Sequence, residues 1–184
     1  ESNTKRAGAA ALVEEDFGVV LVGGAAKGAG VERLEIDGKK FIELPYPADP
    51  VTGAALVMED ETHLLRVGGV TADEQAAPTV RIDIECSKDC VYEAVPLLDL
   101  TVLNAQSYFD PATKQTLVVG ENAEGLTQVY RYQTTGFTEV TFAKTQRRTR
   151  ALALELPTQE LAIVGGTDPN NDSVSRQDIS VIAF

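Results

Sequence analysis

A short apolar strand that ends in glycine recurs four times along this 184-residue chain. The first glycine of each copy is Gly23, Gly68, Gly120 or Gly165, so the copies lie 45, 52 and 45 residues apart. Three copies end in a glycine pair, and the third ends in Gly120-Glu121. A period near 45 residues is typical of an array of like units, each with room for about four short strands. The spacing therefore predicts a repetitive all-β fold.

Four units can be aligned on these glycines. Each begins with a small, apolar first strand, and GAAALVEED at residues 8–16 matches GAALVMEDE at residues 53–61. An alternating third strand and a short fourth strand follow in the first three units, whereas the fourth unit has no fourth strand. No stretch has sustained helical periodicity. The units lie at residues 8–46, 53–97, 103–142 and 150–184. Four-stranded antiparallel units in a regular array predict a β-propeller, either as one domain or as a segment of a larger propeller.

The order of these features resembles the kelch repeat over essentially the whole chain. The resemblance consists of an apolar strand that ends in Val-Gly-Gly, a variable loop, an alternating third strand and an aromatic residue in the fourth strand, with Phe41, Tyr92 and Phe137 as candidates. The chain departs from the family because it has no Trp, and the third-strand Tyr is present only as Tyr132. Kelch-like propellers usually close with about six or seven blades. The resemblance therefore implies that further blades or another chain complete the propeller.

The chain is acidic, with 28 Asp and Glu against 16 Lys and Arg and a formal net charge of −12. This balance argues against nucleic acid, which needs clustered Lys and Arg, and against anionic membrane surfaces. No apolar run approaches the roughly 20 residues that span a bilayer, so we expect no membrane insertion. The chain begins at Glu1 without a signal-peptide pattern, and we expect that an upstream segment was removed. We interpret the acidity as a solubility feature, with a cation or a basic partner as the alternative.

Cys86 and Cys90 are the two cysteines, in the sequence CSKDC between two predicted strands. Their spacing is not that of a redox or zinc motif, and no second Cys/His pair completes four zinc ligands. We predict a disulfide across the hairpin turn, with free thiols in a loop as the alternative. A disulfide implies an oxidising compartment, so we expect an extracellular, periplasmic or cell-surface protein.

The loops after the glycines vary in length and composition while the strands repeat, and binding usually lies in such loops. The kelch arrangement places these loops on one face with the connections between units. Those connections are residues 47–52, 98–102 and 143–149. Asp73, Glu121, Asp168 and Asp172 are acidic candidates for ligand contact on this face.

Arg147, Arg148 and Arg150 form the one basic cluster, just before the first strand of the fourth unit. They suit an anion or carboxylate ligand, and the alternative is that they pair with surface acids. Asp168 and Asp172 belong to the sequence DPNND, whose dense oxygens suit Ca²⁺ although the spacing is not that of an EF-hand. A polar turn is the alternative for this segment.

No catalytic motif stands out. His63 is the single histidine, and one histidine in a predicted turn cannot build a multi-histidine metal site. Some kelch-like propellers are copper oxidases, whose chemistry needs several His and Tyr ligands. We therefore predict a non-enzymatic binding or scaffold protein that recognises a protein or carbohydrate partner and has no cofactor unless Ca²⁺ binds. A segment of a kelch-like carbohydrate oxidase or sugar mutarotase, and a structural component of a surface assembly, are the alternatives, because fold alone does not choose among them.

Overall fold

In the computed structural model, the chain divides into two compact units, Glu1–Ala105 and Gln106–Phe184. The described residues are 4–14, 18–25, 27–34, 40–96, 100–110, 113–133, 135–141, 148–149, 151–158, 160–168, 170–175 and 177–183. Within these ranges the regular structure is β-strand, and no residue lies in an α-helix. These ranges contain no helix long and apolar enough to cross a bilayer. The all-β prediction is confirmed.

The first unit contains two sheets, in each of which four consecutive strands pair in an antiparallel meander. Sheet one consists of β1 (Ala10–Glu14), β2 (Gly18–Val22), β3 (Val31–Leu34) and β4 (Phe41–Leu44). Sheet two consists of β5 (Ala55–Met58), β6 (His63–Val67), β7 (Val80–Asp83) and β8 (Glu93–Ala94). Ala10 pairs with Val22 in sheet one, and Ala55 pairs with Val67 in sheet two. The repeated sequence is therefore also a repeated strand register.

The second unit continues the same plan, with β9 beginning just before the unit boundary. Sheet three consists of β9 (Leu103–Asp110), β10 (Gln115–Glu121), β11 (Thr127–Gln133) and β12 (Gly136–Glu139). The remaining strands are β13 (Leu152–Leu156), β14 (Glu160–Val164), β15 (Thr167–Asp168), β16 (Asn171–Ser175) and β17 (Ile179–Ala183). Sheet four has the order β13-β14-β17, and β15 and β16 form a separate hairpin. In the described part, sheet four thus lacks a fourth strand, as the sequence predicts.

The hairpin β15-β16 lies where a loop is expected after the last glycine pair, and it contains the DPNND segment. The Asp168 side chain accepts a hydrogen bond from Asn170 N at 2.8 Å and so closes the turn. Thr167 also forms a β-bridge with Thr149, which gives β15 a backbone partner on its other side. Polar residues therefore form strands here because neighbouring backbone is available to pair with them.

Neighbouring sheets within each unit pack face to face through apolar side chains. In each unit, we call the face of the first sheet that packs on the second sheet the forward face, and the face of the second sheet that receives it the backward face. The other face of each sheet is named by the same strand register. In the first unit, the forward face of sheet one packs on the backward face of sheet two, through Ala10, Val20, Val22, Val31 and Leu44 on one side and Leu56, Leu64, Val80 and Ile82 on the other. In the second unit, the forward face of sheet three packs on the backward face of sheet four, through Leu117, Val119 and Val129 on one side and Ala153, Leu161, Ile163 and Ile182 on the other. Each fully buried Leu, Ile or Val side chain contributes about 1.5–3 kcal/mol of burial free energy.

The glycine pairs end β2, β6 and β14 in tight turns, and both residues of each pair have positive φ. Gly68 shows why a larger residue does not fit. Its φ is +63°, and an added Cβ would lie 2.1 Å from the carbonyl oxygen of Val102. The close approach lets Gly69 N donate a hydrogen bond of 2.7 Å to that same oxygen. The turn therefore requires glycine at position 68.

Candidate functional site

In the first unit, the turns after the glycine pairs lie against the connection between sheets one and two. Gly24 N donates to the carbonyl oxygen of Val51 at 2.7 Å. Thr52 and Val70 exchange two backbone hydrogen bonds of 2.9 and 2.8 Å. The loop at residues 70–78 therefore starts beside residues 47–52, and these are two of the segments that the sequence analysis assigns to a single face.

In the second unit, Thr149 holds the equivalent segments together. It forms one β-bridge with Leu126, in the loop after β10, and another with Thr167, at the start of β15. The hydroxyl oxygens of Thr149 and Thr167 also lie 2.6 Å apart. The connection into sheet four therefore lies between the loop of sheet three and the hairpin of sheet four.

Arg148, which the sequence analysis assigns to a ligand, is buried inside sheet four with only 2% of its surface exposed. Nη1 donates to the carbonyl oxygens of Ile163 and Gly165 at 3.2 and 3.4 Å, at the end of β14. It also donates to the carbonyl oxygen of Asp178 at 3.0 Å. Nη2 donates to Asp178 Oδ2 at 2.7 Å and to Ser180 Oγ at 2.9 Å. The guanidinium therefore ties the end of β14 to the start of β17, and it is not presented to solvent.

Arg6 makes the corresponding contacts in sheet one, and the sequence analysis does not single it out. Nη1 donates to the carbonyl oxygens of Gly23 and Gly30 at 2.9 and 3.0 Å. Nη2 donates to Glu32 Oε1 at 2.7 Å, and Glu32 is fully buried. Arg6 and Arg148 each lie four positions before the first strand of their sheet. Because both arginines lie at the same offset before the first strand, the repeat could have identified them as structural residues.

Asp73, the acidic candidate for ligand contact in the first unit, lies at the tip of an ordered loop. Thr71 N donates to the carbonyl oxygen of Gln75 at 2.8 Å, and Glu74 N donates to the carbonyl oxygen of Thr71 at 3.0 Å. The side chains of Asp73 and Glu74 are exposed at this tip. The loop backbone is therefore held internally while two carboxylates face solvent.

The second unit holds its acidic loop in a similar way. Glu121 ends β10, and the side-chain oxygen of the next residue, Asn122, accepts hydrogen bonds from Glu124 N at 3.1 Å and Leu126 N at 2.9 Å. Glu124 is exposed at the tip of this loop, and Glu121 is half-buried. Asp168 is half-buried on β15. In this unit the bridges through Thr149 bring the loop of Glu124 and the strand of Asp168 to the same connection.

The remaining candidates are outside what the structure describes. Arg147 and Arg150 lie outside the described residues, and so does the side chain of Asp172. Among the described residues, no group of three or more His, Cys, Asp or Glu side chains is placed to hold a metal ion. Ca²⁺ binding by the segment around Asp168 stays a prediction.

A buried ion pair between sheets one and two is a feature that the sequence analysis missed. Arg66 on β6 is 2% exposed, and its Nη1 lies 3.1 Å from Asp49 Oδ2. Burial lowers the pKa of Arg66, and the charge of Asp49 acts against that shift. The Arg66 guanidinium carbon lies 6.0 Å from the centre of the Tyr92 ring, and burial raises the pKa of Tyr92. A lone Arg within the apolar sequence LLRVGG is the signal that points to this buried charge.

Tyr46 fastens the end of sheet one to sheet two. Its hydroxyl accepts a hydrogen bond from Asp83 N at 2.8 Å and donates to the Asp83 carbonyl oxygen at 3.0 Å. The Tyr46 and Tyr92 rings lie 4.9 Å apart. Burial is the main reason that the pKa of Tyr46 is raised. These aromatic residues serve the packing between the two sheets of the first unit.

Cys86 and Cys90 are joined by a disulfide, with an S–S distance of 2.02 Å. The predicted bridge across the turn between β7 and β8 is therefore confirmed. Cys90 is buried in the core of the first unit, and Cys86 packs against the same core. The bridge thus closes the turn over the apolar interior of sheets one and two.

His63 lies where the sequence places it, beside the turn between β5 and β6. Asp60 Oδ1 accepts hydrogen bonds from Thr62 N at 2.8 Å and His63 N at 2.9 Å, and it also lies 2.9 Å from His63 Nδ1. Burial alone would raise the pKa of Asp60, but the hydrogen bonds from Thr62 and His63 lower it below its usual value. This small network shapes a turn.

No family model matches the sequence, and no curated protein matches it. Among solved structures, the chain is similar to a chain in a cryo-EM structure of RAG in complex with one melted RSS and one unmelted RSS. The alignment has 12% sequence identity and a TM-score of 0.49, and it covers 98% of this chain and 68% of that one. Similarity at this level assigns neither a family nor a function.

Proposed function

We propose that the chain is a diverged kelch-like β-propeller array that acts as a non-enzymatic binding or scaffold module for a protein or carbohydrate partner. The successive meanders, the glycine turns and the forward-to-backward packing within each unit support the propeller part of this proposal. The disulfide supports an extracellular, periplasmic or cell-surface location, because such bonds persist in oxidising compartments.

The observation that carries the binding role is the construction of the loops after the glycines. In each unit these loops are pinned to a connection by backbone bridges, and their tips expose carboxylates. A loop that is already ordered loses little conformational entropy on binding, so more of its contact energy appears as affinity. Carboxylate oxygens accept hydrogen bonds from sugar hydroxyls and from the Lys and Arg side chains of a protein.

Among the described candidate residues, the acids support ligand contact better than Arg148, which is committed to internal hydrogen bonds. Arg147 and Arg150 lie outside the described residues and stay candidates. Asp73 and Glu74 in the first unit, and Glu124 in the second, are the exposed carboxylates at loop tips. A partner that offers positive charge or hydroxyl groups therefore matches this chemistry better than an anion.

The test compares two neutralised forms of the chain that carry the same change in charge. Asp73→Asn with Glu74→Gln alters a loop after a glycine pair, whereas Glu61→Gln with Glu85→Gln alters exposed turns at the other ends of the strands. Both are measured against a glycan panel and a panel of Lys/Arg-rich peptides. We expect the first pair to weaken the captured interaction at least 10-fold, about 1.4 kcal/mol, and the second to leave it unchanged.

An interaction lost only in the second pair would place the site at the opposite end of the strands. Release of an oxidised or isomerised sugar from any panel member would contradict the non-enzymatic role and favour the carbohydrate-active alternative.

A further inference from the structure

The forward face of sheet four is apolar and open. Side chains on β13 and β17 alternate between Ala153 and Ile182, which are buried on the backward face, and Leu154 and Val181, which are 45% and 52% exposed on the forward face. The exposed or half-buried apolar residues of this forward face are Leu152, Leu154, Val164, Ile179 and Val181. One face of this sheet is therefore packed, and the other is largely exposed to solvent.

The strand register joins these residues into one patch. Leu152 lies opposite Val164, which lies opposite Ile179, and the next row runs from Leu154 through Ala162 to Val181. Both rows consist of apolar residues, whereas the solvent-facing side of an antiparallel sheet usually carries polar residues. Contiguous apolar patches above roughly a few hundred Å² mark contact sites. The forward face of sheet four is thus composed for contact with another apolar surface.

The repeat identifies the kind of surface that covers such a face. By register, the row of Leu152 and Ile179 corresponds to the row of Ala10 and Val31 on the forward face of sheet one. That face is covered by the backward face of sheet two. In the second unit, the forward face of sheet three is covered in the same way by the backward face of sheet four. In both units a forward face packs on a backward face.

The backward face of sheet one is open around Val13, which is 76% exposed. The apolar residues of this face are Ala11, Val13, Val19, Leu21, Leu34 and Phe41. The same face also carries the exposed Glu43 and the buried Glu32, whose carboxylate accepts hydrogen bonds from Thr4 N and Arg6 Nη2. By register, Val13, Val19 and Leu34 correspond to Met58, Leu64 and Ile82, which contact sheet one from sheet two.

We propose that the forward face of sheet four binds the backward face of sheet one in a second copy of this chain. The chain carries both halves of the contact that each unit already uses internally, and Val13 on one half and Leu154 and Val181 on the other are 45–76% exposed. A contact between two different faces is heterologous, so each copy offers one free face of each kind. This proposal is independent of the loop function proposed above.

The test is the mass of the chain in solution for two lysine variants, alone and mixed. Val181→Lys places a charge on the forward face of sheet four, and Val13→Lys places one on the backward face of sheet one. Both positions are already more than half exposed, so the fold of a monomer should tolerate the change. Thr158→Lys, in the exposed turn between β13 and β14, is the matched control. Sedimentation at up to about 100 µM gives the masses, and a far-UV circular dichroism spectrum checks each fold.

We expect the unmodified chain and Thr158→Lys to exceed the monomer mass. Each single face variant should associate at least 10-fold more weakly, because burying an unpaired charge is costly. An equal mixture of Val181→Lys and Val13→Lys should form a heterodimer, because one intact face remains on each copy.

Three results would overturn the proposal. The first is a monomeric unmodified chain at the highest concentration. The second is association that Val13→Lys leaves unchanged, which would indicate a contact between two copies of sheet four. The third is a mixture that stays monomeric while each variant is folded.

Discussion

Sheets two and four are built on the same strand register, but they differ in how much of it is buried. In sheet two, Leu65 on the forward face and Leu64 on the backward face are both fully buried. In sheet four, Leu161 on the backward face is fully buried, whereas Leu154 and Val181 on the forward face are about half exposed. In both sheets the first two strands read as nearly continuous apolar runs, the pattern of strands meant for burial on two faces. Leu65 and Leu154, both on forward faces, are therefore alike in residue type and differ in burial.

The largest contrast is expected at the glycine turns. Gly68→Ala should lower the free energy of unfolding by about 3 kcal/mol or more, because a strained φ combines with a clash against Val102 O. Gly165 has φ +70° but no atom within 4 Å of an added Cβ. Gly165→Ala should therefore cost the strain alone, about 1 kcal/mol. Urea unfolding measures both, and equal losses would contradict the contrast.

The two forward faces give the second contrast. Leu65→Ala should destabilise the chain by about 3 kcal/mol, because it removes packed atoms and leaves a cavity. Leu154→Ala should cost less than about 1 kcal/mol in dilute, monomeric protein, because the side chain is 45% exposed. Thermal or urea unfolding at low concentration checks the pair. A large cost for Leu154→Ala in the monomer would mean that the forward face of sheet four is covered within one chain.

Arg148 provides a third contrast, between a buried and an exposed positive charge. In sheet two the residue at the same offset before the first strand is the buried Val51. Arg148→Met should cost about 2 kcal/mol, because it leaves the buried Ser180 hydroxyl and several carbonyl oxygens without a donor. Lys88→Met removes the same charge from an exposed turn and should change stability by less than about 0.5 kcal/mol. If Arg148→Met left stability unchanged, the residue would be available for the ligand role that the sequence suggested.

The smallest contrast concerns the turn between the first two strands of each sheet. In sheet two, Asp60 organises this turn, and the pKa of its carboxyl is lowered in the folded state. Its contribution to the free energy of unfolding is therefore present above the ordinary pKa and is lost as pH falls through the lowered pKa. Asp60→Asn should cost less than about 1 kcal/mol at neutral pH, because the carboxylate is 56% exposed and screened. Urea unfolding of both forms as a function of pH should show the difference shrinking in acid. Among the described residues of the same turn in sheet four, the Thr158 hydroxyl donates to the Glu160 carboxylate, and we expect Thr158→Ala to show a smaller effect at neutral pH.

Much of the fold could be predicted from the residues. The alternating and apolar runs predicted the strands of the four sheets. The fourth strand of the second unit is Glu93–Ala94, so its aromatic candidate, Tyr92, lies just before the strand and not in it. The hairpin of β15 and β16 was missed because its strands are polar and depend on pairing with Thr149. Strand formation by polar residues depends on a partner elsewhere in the chain, and a local pattern does not reveal that partner.

The candidate site was predicted less well, for a physical reason that Arg6, Arg66 and Arg148 illustrate. Arg148 was predicted to contact a ligand or to pair with surface acids, and no role was predicted for Arg6 or Arg66, because charged side chains are rarely fully buried. Each is instead buried against carboxylates or backbone carbonyl oxygens near a glycine turn. The carbonyl groups that accept these hydrogen bonds come together only when the glycine turn folds. Residue types alone do not show this arrangement.

The sequence by itself determined the period of the array, the glycines at its turns and the cysteine bridge. These features depend on local chemistry: backbone angles that only glycine adopts readily, strand periodicity, and two cysteines four positions apart along a turn. Only the tertiary structure decided which charges are buried and which apolar faces are covered. Burial depends on what packs against a face, and Leu65 and Leu154 show that one residue type on the forward faces of two sheets can be fully buried or about half exposed.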